Sequence, residues 1–179
     1  MGYLSPSSIA LHGFKSVGAN TLLSEKAIFY RAQDIEIGSN CRIDDFCILT
    51  GKIRIGDNCH IAANSIVSGG RQASVFIDDN VTIAYSCIII SRSNDYLGTH
   101  SPGINAIEKN ELELESSTFI EEHSLLGMRS SVLPGVRLRR GTATGAHSLV
   151  TKSTLEWSLY MGVPARRIKD RSQAFLDNI

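Results

Sequence analysis

No net charge is left on this chain once 18 lysines and arginines are set against 18 aspartates and glutamates. A neutral protein has no global attraction to nucleic acid or to an anionic membrane, so neither is expected as a partner. No apolar run approaches the ~20 residues of a membrane span. The opening residues, MGYLSPSSIALHGF, lack the charged start and long apolar core of a secretory leader. Cytoplasmic residence, with small molecules or further copies of itself as partners, is therefore expected. The four cysteines contain no C-x-x-C pair, which removes the usual spacing of a zinc site or a redox dithiol. Reduced thiols packed into a core are expected instead. With 179 residues, the chain is long enough to bury a core, and one domain over 1–179 is expected.

What the chain does have is a six-residue period. Aliphatic side chains recur at Ile37, Ile43, Leu49, Ile55, Ile61 and Val67, then at Ile77, Ile83 and Ile89, then at Ile120, Leu126, Val132, Leu138 and Val150, with Thr144 in step. A helix repeats every 3.6 residues and a strand every two. A sixfold spacing held this long predicts a solenoid of short strands and corners. Four residues after each anchor comes a second column: Cys41, Cys47, Ile53, Cys59, Ser65, Val81, Cys87, Ser124, Ser130, Val136, Thr142 and Ser148. A three-faced coil with six residues per face needs these two inward positions, one large and one small near the corner. All four cysteines fall in the small column, which makes them core residues.

The period also shows where the chain departs from it. Val17, Leu23, Phe29 and Ile35 form a looser first set, shifted by two residues before Ile37, and residues 1–16 precede it as a cap or short turn. SGGRQAS, between Val67 and Ile77, holds a small bulge with two glycines to turn it. The large interruption is 91–118, SRSNDYLGTHSPGINAIEKNELELESST. An insertion of this length in a repeat domain is expected to protrude and to carry function. After Val150 the repeat is expected to end, leaving a tail over 151–179 with a short helix from Ser172 and with Phe175 and Leu176 packed down.

The repeat resembles the hexapeptide-repeat transferases, and the resemblance covers roughly residues 17 to 168. It implies an all-β fold, a left-handed parallel β-helix. The handedness comes from that family, since the general preference for right-handed crossovers points the other way. The segments VLPGVRLRRGTATGAHSLVTKS and YMGVPARRIKDR are similar to the carboxyl end of the maltose, galactoside and polysaccharide O-acetyltransferase branch. That similarity implies acetyl-CoA as donor. Ala146, Thr151 and Lys152 would meet the pantetheine arm or the phosphates, and Pro164 and Arg166 would lie along the nucleotide. Independently of the resemblance, a polyanionic cofactor needs fixed cations, which Lys152, Arg166, Arg167 and Lys169 supply. Small residues such as Gly127, Gly145 and Ala146 leave room for an extended, amide-bearing arm beside the backbone.

SRSNDY resembles the Ser-x-Ser-Asp-Asp-Tyr segment of sugar O-acetyltransferases, with Asn94 in place of the first aspartate, and Asn94 and Tyr96 are candidate acceptor contacts. In the maltose and galactoside members a His-Pro pair in this loop supplies the catalytic base. This chain has no such pair, and His100, in Thr-His-Ser-Pro, is the nearest histidine. A sugar hydroxyl needs a base, histidine titrates in the right range, and Asp95 could orient the ring. His60, in CHIAANS, is the rival base, expected at a coil corner with Asn64 beyond it as a further acceptor contact. The scattered histidines form no ligand set, and no metal is expected. The expected activity is acetyl transfer from acetyl-CoA to a hydroxyl of a sugar or surface-polysaccharide precursor. Transfer to the amine of an amino sugar is the alternative, and a non-catalytic scaffold is a further one. A homotrimer is expected from the resemblance, because a loop and a corner enclose a site better when a second subunit meets them.

Overall fold

The computed structural model describes residues 2–98 and 113–178. Helix α1 (Pro6–His12) opens the chain, where the sequence reading left a cap or turn. Ser5 accepts the Ser8 N–H, Pro6 starts the first turn, and Gly13 closes the helix at φ 68. Leu4, Ile9 and Phe14 pack against the core beside it.

Six coils follow, each of three short strands. The first is β1 (Ser16–Val17), β2 (Leu22–Leu23) and β3 (Ile28–Tyr30), and the second is β4 (Ile35–Ile37), β5 (Arg42–Ile43) and β6 (Ile48–Thr50). The third is β7 (Ile53–Ile55), β8 (His60–Ile61) and β9 (Ile66–Ser68), and the fourth is β10 (Val75–Ile77), β11 (Thr82–Ile83) and β12 (Ile88–Ile90). A hairpin, β13 (Arg92–Asn94) and β14 (Glu113–Glu115), interrupts the repeat. The fifth coil is β15 (Thr118–Ile120), β16 (Leu125–Leu126) and β17 (Ser131–Val132), and the sixth is β18 (Arg137–Leu138), β19 (Ala143–Thr144) and β20 (Leu149–Val150). Each strand pairs in parallel with its equivalent in the next coil, building three flat faces named here in the order the chain visits them. The result is a parallel β-solenoid.

The two columns read from the sequence are the core. Anchors from Ile37 to Val150, Thr144 included, are at most 3% exposed. Val17, Leu23 and Phe29 stand in register with Ile37, Ile43 and Leu49 as the first coil. The two-residue shift before Ile37 is a 3₁₀ turn at Ala32–Asp34. The small column is buried throughout, and its chemistry has a reason. Ser65 Oγ donates to Ala84 O at 3.1 Å, Ser130 Oγ to Gly145 O at 3.0 Å, Cys47 Sγ to Ala62 O at 3.2 Å and Cys87 Sγ to Gly127 O at 3.2 Å. A small donor at the corner thus satisfies a carbonyl of the next coil that the sheet leaves unpaired. All four cysteines are free and buried, and burial pushes the Cys47 thiol up to about 11. Cys41 moves the other way, held down to about 7 by its hydrogen bond with Cys59, but at 2% exposure it is shielded from reagents.

Corners are turned by residues with positive φ, among them Asn20, Asn40, Asn58, Asn64 and Asn80. Asparagine tolerates the left-handed region through local hydrogen bonding of its short side chain.

At the carboxyl end the structure corrects the sequence reading. The solenoid does not stop at Val150: β21 (Ser158–Met161) stacks in parallel on β19, and β22 (Arg166–Asp170) folds back antiparallel on β21. The six-residue count hid this strand because Thr151–Trp157 breaks it: Tyr160 pairs with Thr144 after sixteen residues, where Thr144 follows its own partner Leu126 by eighteen. The terminal helix is a single 3₁₀ stretch, Ala174–Asn178, too short to sustain an α-helix. Phe175 rests edge-on against His123 and beside Trp157, with centroids 5.5 and 5.9 Å apart. Arg171 donates to His123 O and Gly141 O at 2.8 and 3.0 Å, tying the tail down. Among the described residues no helix is long and apolar enough to cross a membrane.

Candidate functional site

His60 sits within β8 on the outer side of face two, not at a corner as expected. It precedes the inward anchor Ile61, so strand alternation turns it outward. Arg42 occupies the same place one coil earlier, and the two are paired in register. Asp44, just past the inward Ile43, reaches the same spot from the corner between faces two and three. His60 Nε2 lies 2.8 Å from Asp44 Oδ2 and 2.8 Å from Arg42 Nη2, and Arg42 Nε lies 3.0 Å from Asp44 Oδ1. The Asp44 side chain is 4% exposed and that of His60 30%. Asp44 Oδ1 makes no hydrogen bond of good geometry despite the near guanidinium. In the tautomer that donates Nε2–H to Asp44, Nδ1 is left as the acceptor, an arrangement in which a carboxylate orients a histidine. Sequence reasoning missed Asp44 and Arg42. One signal was available: along the same corner Ser24, Ala62, Ala84, Gly127 and Gly145 hold Asp44's place after the anchor in the other coils, so an acid there was the odd residue.

Along the corner between faces two and three, the third coil carries Asn64, the fifth Gly127, and the sixth Gly145 and Ala146. Asn64 is the left-handed turn residue, φ 62, and His147 holds the same place at φ 58. A Cβ on Gly127 would lie 2.6 Å from Thr144 O and 2.7 Å from Ala146 N, and one on Gly145 2.6 Å from Met161 Cγ. Pro164 joins this corner from the β21–β22 turn, where Gly162 O accepts the Leu149 N–H and Leu149 O accepts the Ala165 N–H. Arg166 and Lys169 project from β22, fully on the surface. Neither has a carboxylate partner among the described residues, whereas Arg167 is engaged by Asp170 and Ser158. Thr151 and Lys152 are exposed but follow β20, on the far side of face three. Within one chain the candidate cofactor residues therefore form one string at the corner and a separate pair across a sheet.

The hairpin leaves from that far side as well, after β12. Asn94 ends β13, paired with Glu113. Asp95 Oδ1 accepts the Leu97 N–H at 2.7 Å, a tight local turn. It leaves Tyr96 and Leu97 at 85% and 88% exposure. His100 lies outside the described residues. The structure thus groups Asn94, Asp95 and Tyr96 on one arm and His60 and Asn64 at another edge, with face three between them.

Face three itself has an unusual outer surface. In register along it stand Ile28, Ile48, Ile66, Ile88, Ser131 and Leu149. Phe46, Tyr85 and Met128 add exposed apolar surface at its corner. An outward ladder of isoleucines is not what a solvated strand face carries.

Comparison with known proteins gives this geometry its context. Residues 34–69 match the family model described as bacterial transferase hexapeptide (six repeats), and residues 118–146 match that described as hexapeptide repeat of succinyl-transferase. The chain is 38% identical to dTDP-4-amino-4,6-dideoxy-D-glucose acyltransferase of Escherichia coli over 99% of its own length and 93% of that protein's. It belongs to the hexapeptide-repeat acyltransferases. Within that family it is also similar to AntD, an N-acyltransferase from Bacillus cereus. A variant of AntD in complex with dTDP and coenzyme A superposes with TM-score 0.93 at 35% identity, covering 98% of this chain and 94% of that one. A maltose O-acetyltransferase from Clostridium difficile shares the fold, with TM-score 0.57 at 21% identity over 93% of this chain and 74% of that one. The coil pattern is therefore that of a hexapeptide-repeat acyltransferase.

Proposed function

We propose that this acyltransferase moves an acyl group from acyl-coenzyme A to the amino group of a dTDP-linked 4-amino-4,6-dideoxy sugar. The observation that carries the proposal is the near full-length similarity to an acyltransferase named for that sugar nucleotide. Among the AntD complexes, one holds dTDP with 3-hydroxybutyryl-CoA, so the acyl chain taken here need not be acetyl. Of the two transfers weighed from the sequence, amine over hydroxyl is also the one the chemistry favours. An unprotonated amine attacks a thioester without first losing a proton, so the arm needs no His-Pro base. The amine nitrogen bonds to the thioester carbon, the carbon–sulfur bond breaks, and the surplus amine proton goes to the departing thiolate, giving an amide and free coenzyme A. A backbone N–H beside a coil glycine would meet the oxyanion. Asn94, Asp95 and Tyr96 would hold the amino sugar, and Lys152, Arg166 and Lys169 the donor's phosphates.

The active unit in this reading is a homotrimer assembled through face three. Its support is the isoleucine ladder, together with the separation of the arm from the corner in one chain. A neighbour seated on face three would bring the arm of one copy over the glycine corner of the next. The site would then be incomplete without a second subunit.

Histidine replacement separates the two chemistries. For amine transfer, His60→Ala is expected to lower kcat by less than about tenfold. A hydroxyl reaction using His60 as base would lose roughly 10²–10⁴-fold. Steady-state thiol release with the amino-sugar nucleotide measures the loss, and a fall in the larger range would contradict amine transfer without a histidine base.

A further inference from the structure

The bulge and the arm fall at the same corner, one coil apart. The glycine-bearing bulge follows β9 and the arm follows β12, and these strands are parallel neighbours. They meet at Glu115, the last residue of β14. Glu115 Oε1 accepts the Arg71 N–H at 2.9 Å, and Oε2 accepts those of Gln72 at 2.6 Å and Ala73 at 2.7 Å. Three consecutive backbone donors thus form a nest around one carboxylate contributed from more than forty residues away, each bond being charge-assisted. The surroundings are built for it. Ser91 Oγ accepts the Gly70 N–H at 2.9 Å and donates to Ala73 O at 3.2 Å, and Ser117 Oγ accepts the Ser74 N–H at 3.1 Å. A Cβ on Gly70 would stand 2.5 Å from Glu115 Oε2, so a side chain there would displace the carboxylate.

We propose that Glu115 is a positioning residue: its carboxylate, seated in the nest of residues 71–73, sets the direction of the arm and so the place of Asn94, Asp95 and Tyr96. The lever is short. Glu115 stands directly opposite Arg92 in the two-stranded ladder, and Asn94 lies two residues further along the same ladder. The bulge then has a task that explains its existence: it turns three amides outward to receive the arm of the next coil. The kinetic part of this proposal rests on the reading that the arm holds the acceptor, whereas the latch itself does not.

Two variants and two readouts test it. In Glu115→Ala, hydrogen exchange at the amides of residues 71–73 is expected to quicken by about tenfold or more. The KM for the amino-sugar nucleotide should rise on the order of tenfold while that for acyl-CoA stays within about twofold. Gly70→Ala, which displaces the carboxylate while leaving every residue of the arm unaltered, should reproduce both effects. Glu115→Gln should fall between, because its amide oxygen still accepts from Gln72 and Ala73 while its NH₂ opposes the Arg71 N–H. Unchanged exchange at residues 71–73 in Glu115→Ala would overturn the latch. Faster exchange with an unchanged acceptor KM would overturn the positioning role. If the wild-type protein acylated no amino sugar, the positioning role would fall with the functional reading, and the exchange measurement alone would still decide the latch.

Discussion

Ile66→Asp is expected to leave the coil folded while removing assembly and activity together. Ile66 lies mid-ladder on face three, flanked in register by Ile48 and Ile88, and its side chain points away from the core that Val67 fills. In an isolated chain the substitution exchanges one partly buried, outward-facing apolar group for a charged one, a change of about 1 kcal/mol, ordinary for a point substitution. Between packed copies it buries an unpaired carboxylate in each interface, at a cost of several kcal/mol per ion. Light scattering should give about three times the 19.5 kDa chain mass for the wild-type protein and a single chain for the variant. Acyl transfer should fall by at least about 10²-fold, because the arm and the corner no longer meet. Thermal melting should remain cooperative. A variant that stayed trimeric and active would remove face three from the assembly.

The second large effect is expected at Gly127, where fold and site share a residue. Gly127→Ala adds a methyl that meets the backbone of the following coil, with Thr144 O, Ala146 N and Gly145 C all within 2.7 Å. Backbone cannot rotate away as a side chain can, so the fifth and sixth coils must separate at that corner. Overpacking of this kind costs roughly 1–3 kcal/mol. At ~2–4 °C per kcal/mol for a chain of this size, Tm should drop by several degrees. The same displacement moves Ala146 and the groove proposed for the pantetheine arm, so calorimetric titration should show weaker acetyl-CoA binding as well. A variant with wild-type Tm and affinity would show that the corner is looser than its geometry implies.

The coil fold was legible because its cause is local and repeats. A large inward residue at every sixth position and a small donor four residues later are what three flat faces require, and the structure has both columns buried. Breaks in the count likewise marked the 3₁₀ turn before Ile37, the bulge and the arm. Features that depend on contact between distant residues were not legible. β21 was missed because its connection breaks the count, although the ladder of face two accepts it readily. The Asp44–His60 pair was missed because coil stacking, not sequence proximity, joins them. Glu115 looked like one acid in the acidic stretch ELELESS, and nothing local says that its carboxylate closes a nest formed by residues 71–73. For the chemistry, the coil motifs pointed to an acyl-coenzyme A enzyme. In the proposed reading, amine against hydroxyl turns on the arm, where this chain departs from the O-acetyltransferase pattern at Asn94 and lacks a His-Pro pair.

The most direct test compares two acceptors that differ at one atom. With purified protein and, in parallel, acetyl-CoA and 3-hydroxybutyryl-CoA as donors, thiol release would be followed with dTDP-4-amino-4,6-dideoxyglucose and with the analogue carrying a hydroxyl at C4, and the products identified by mass spectrometry. The expected result is saturable turnover of the amine to its amide, with kcat/KM at least about 10³-fold above that of the hydroxyl analogue. Turnover of the hydroxyl analogue at a comparable rate, or of neither compound, would contradict the assignment.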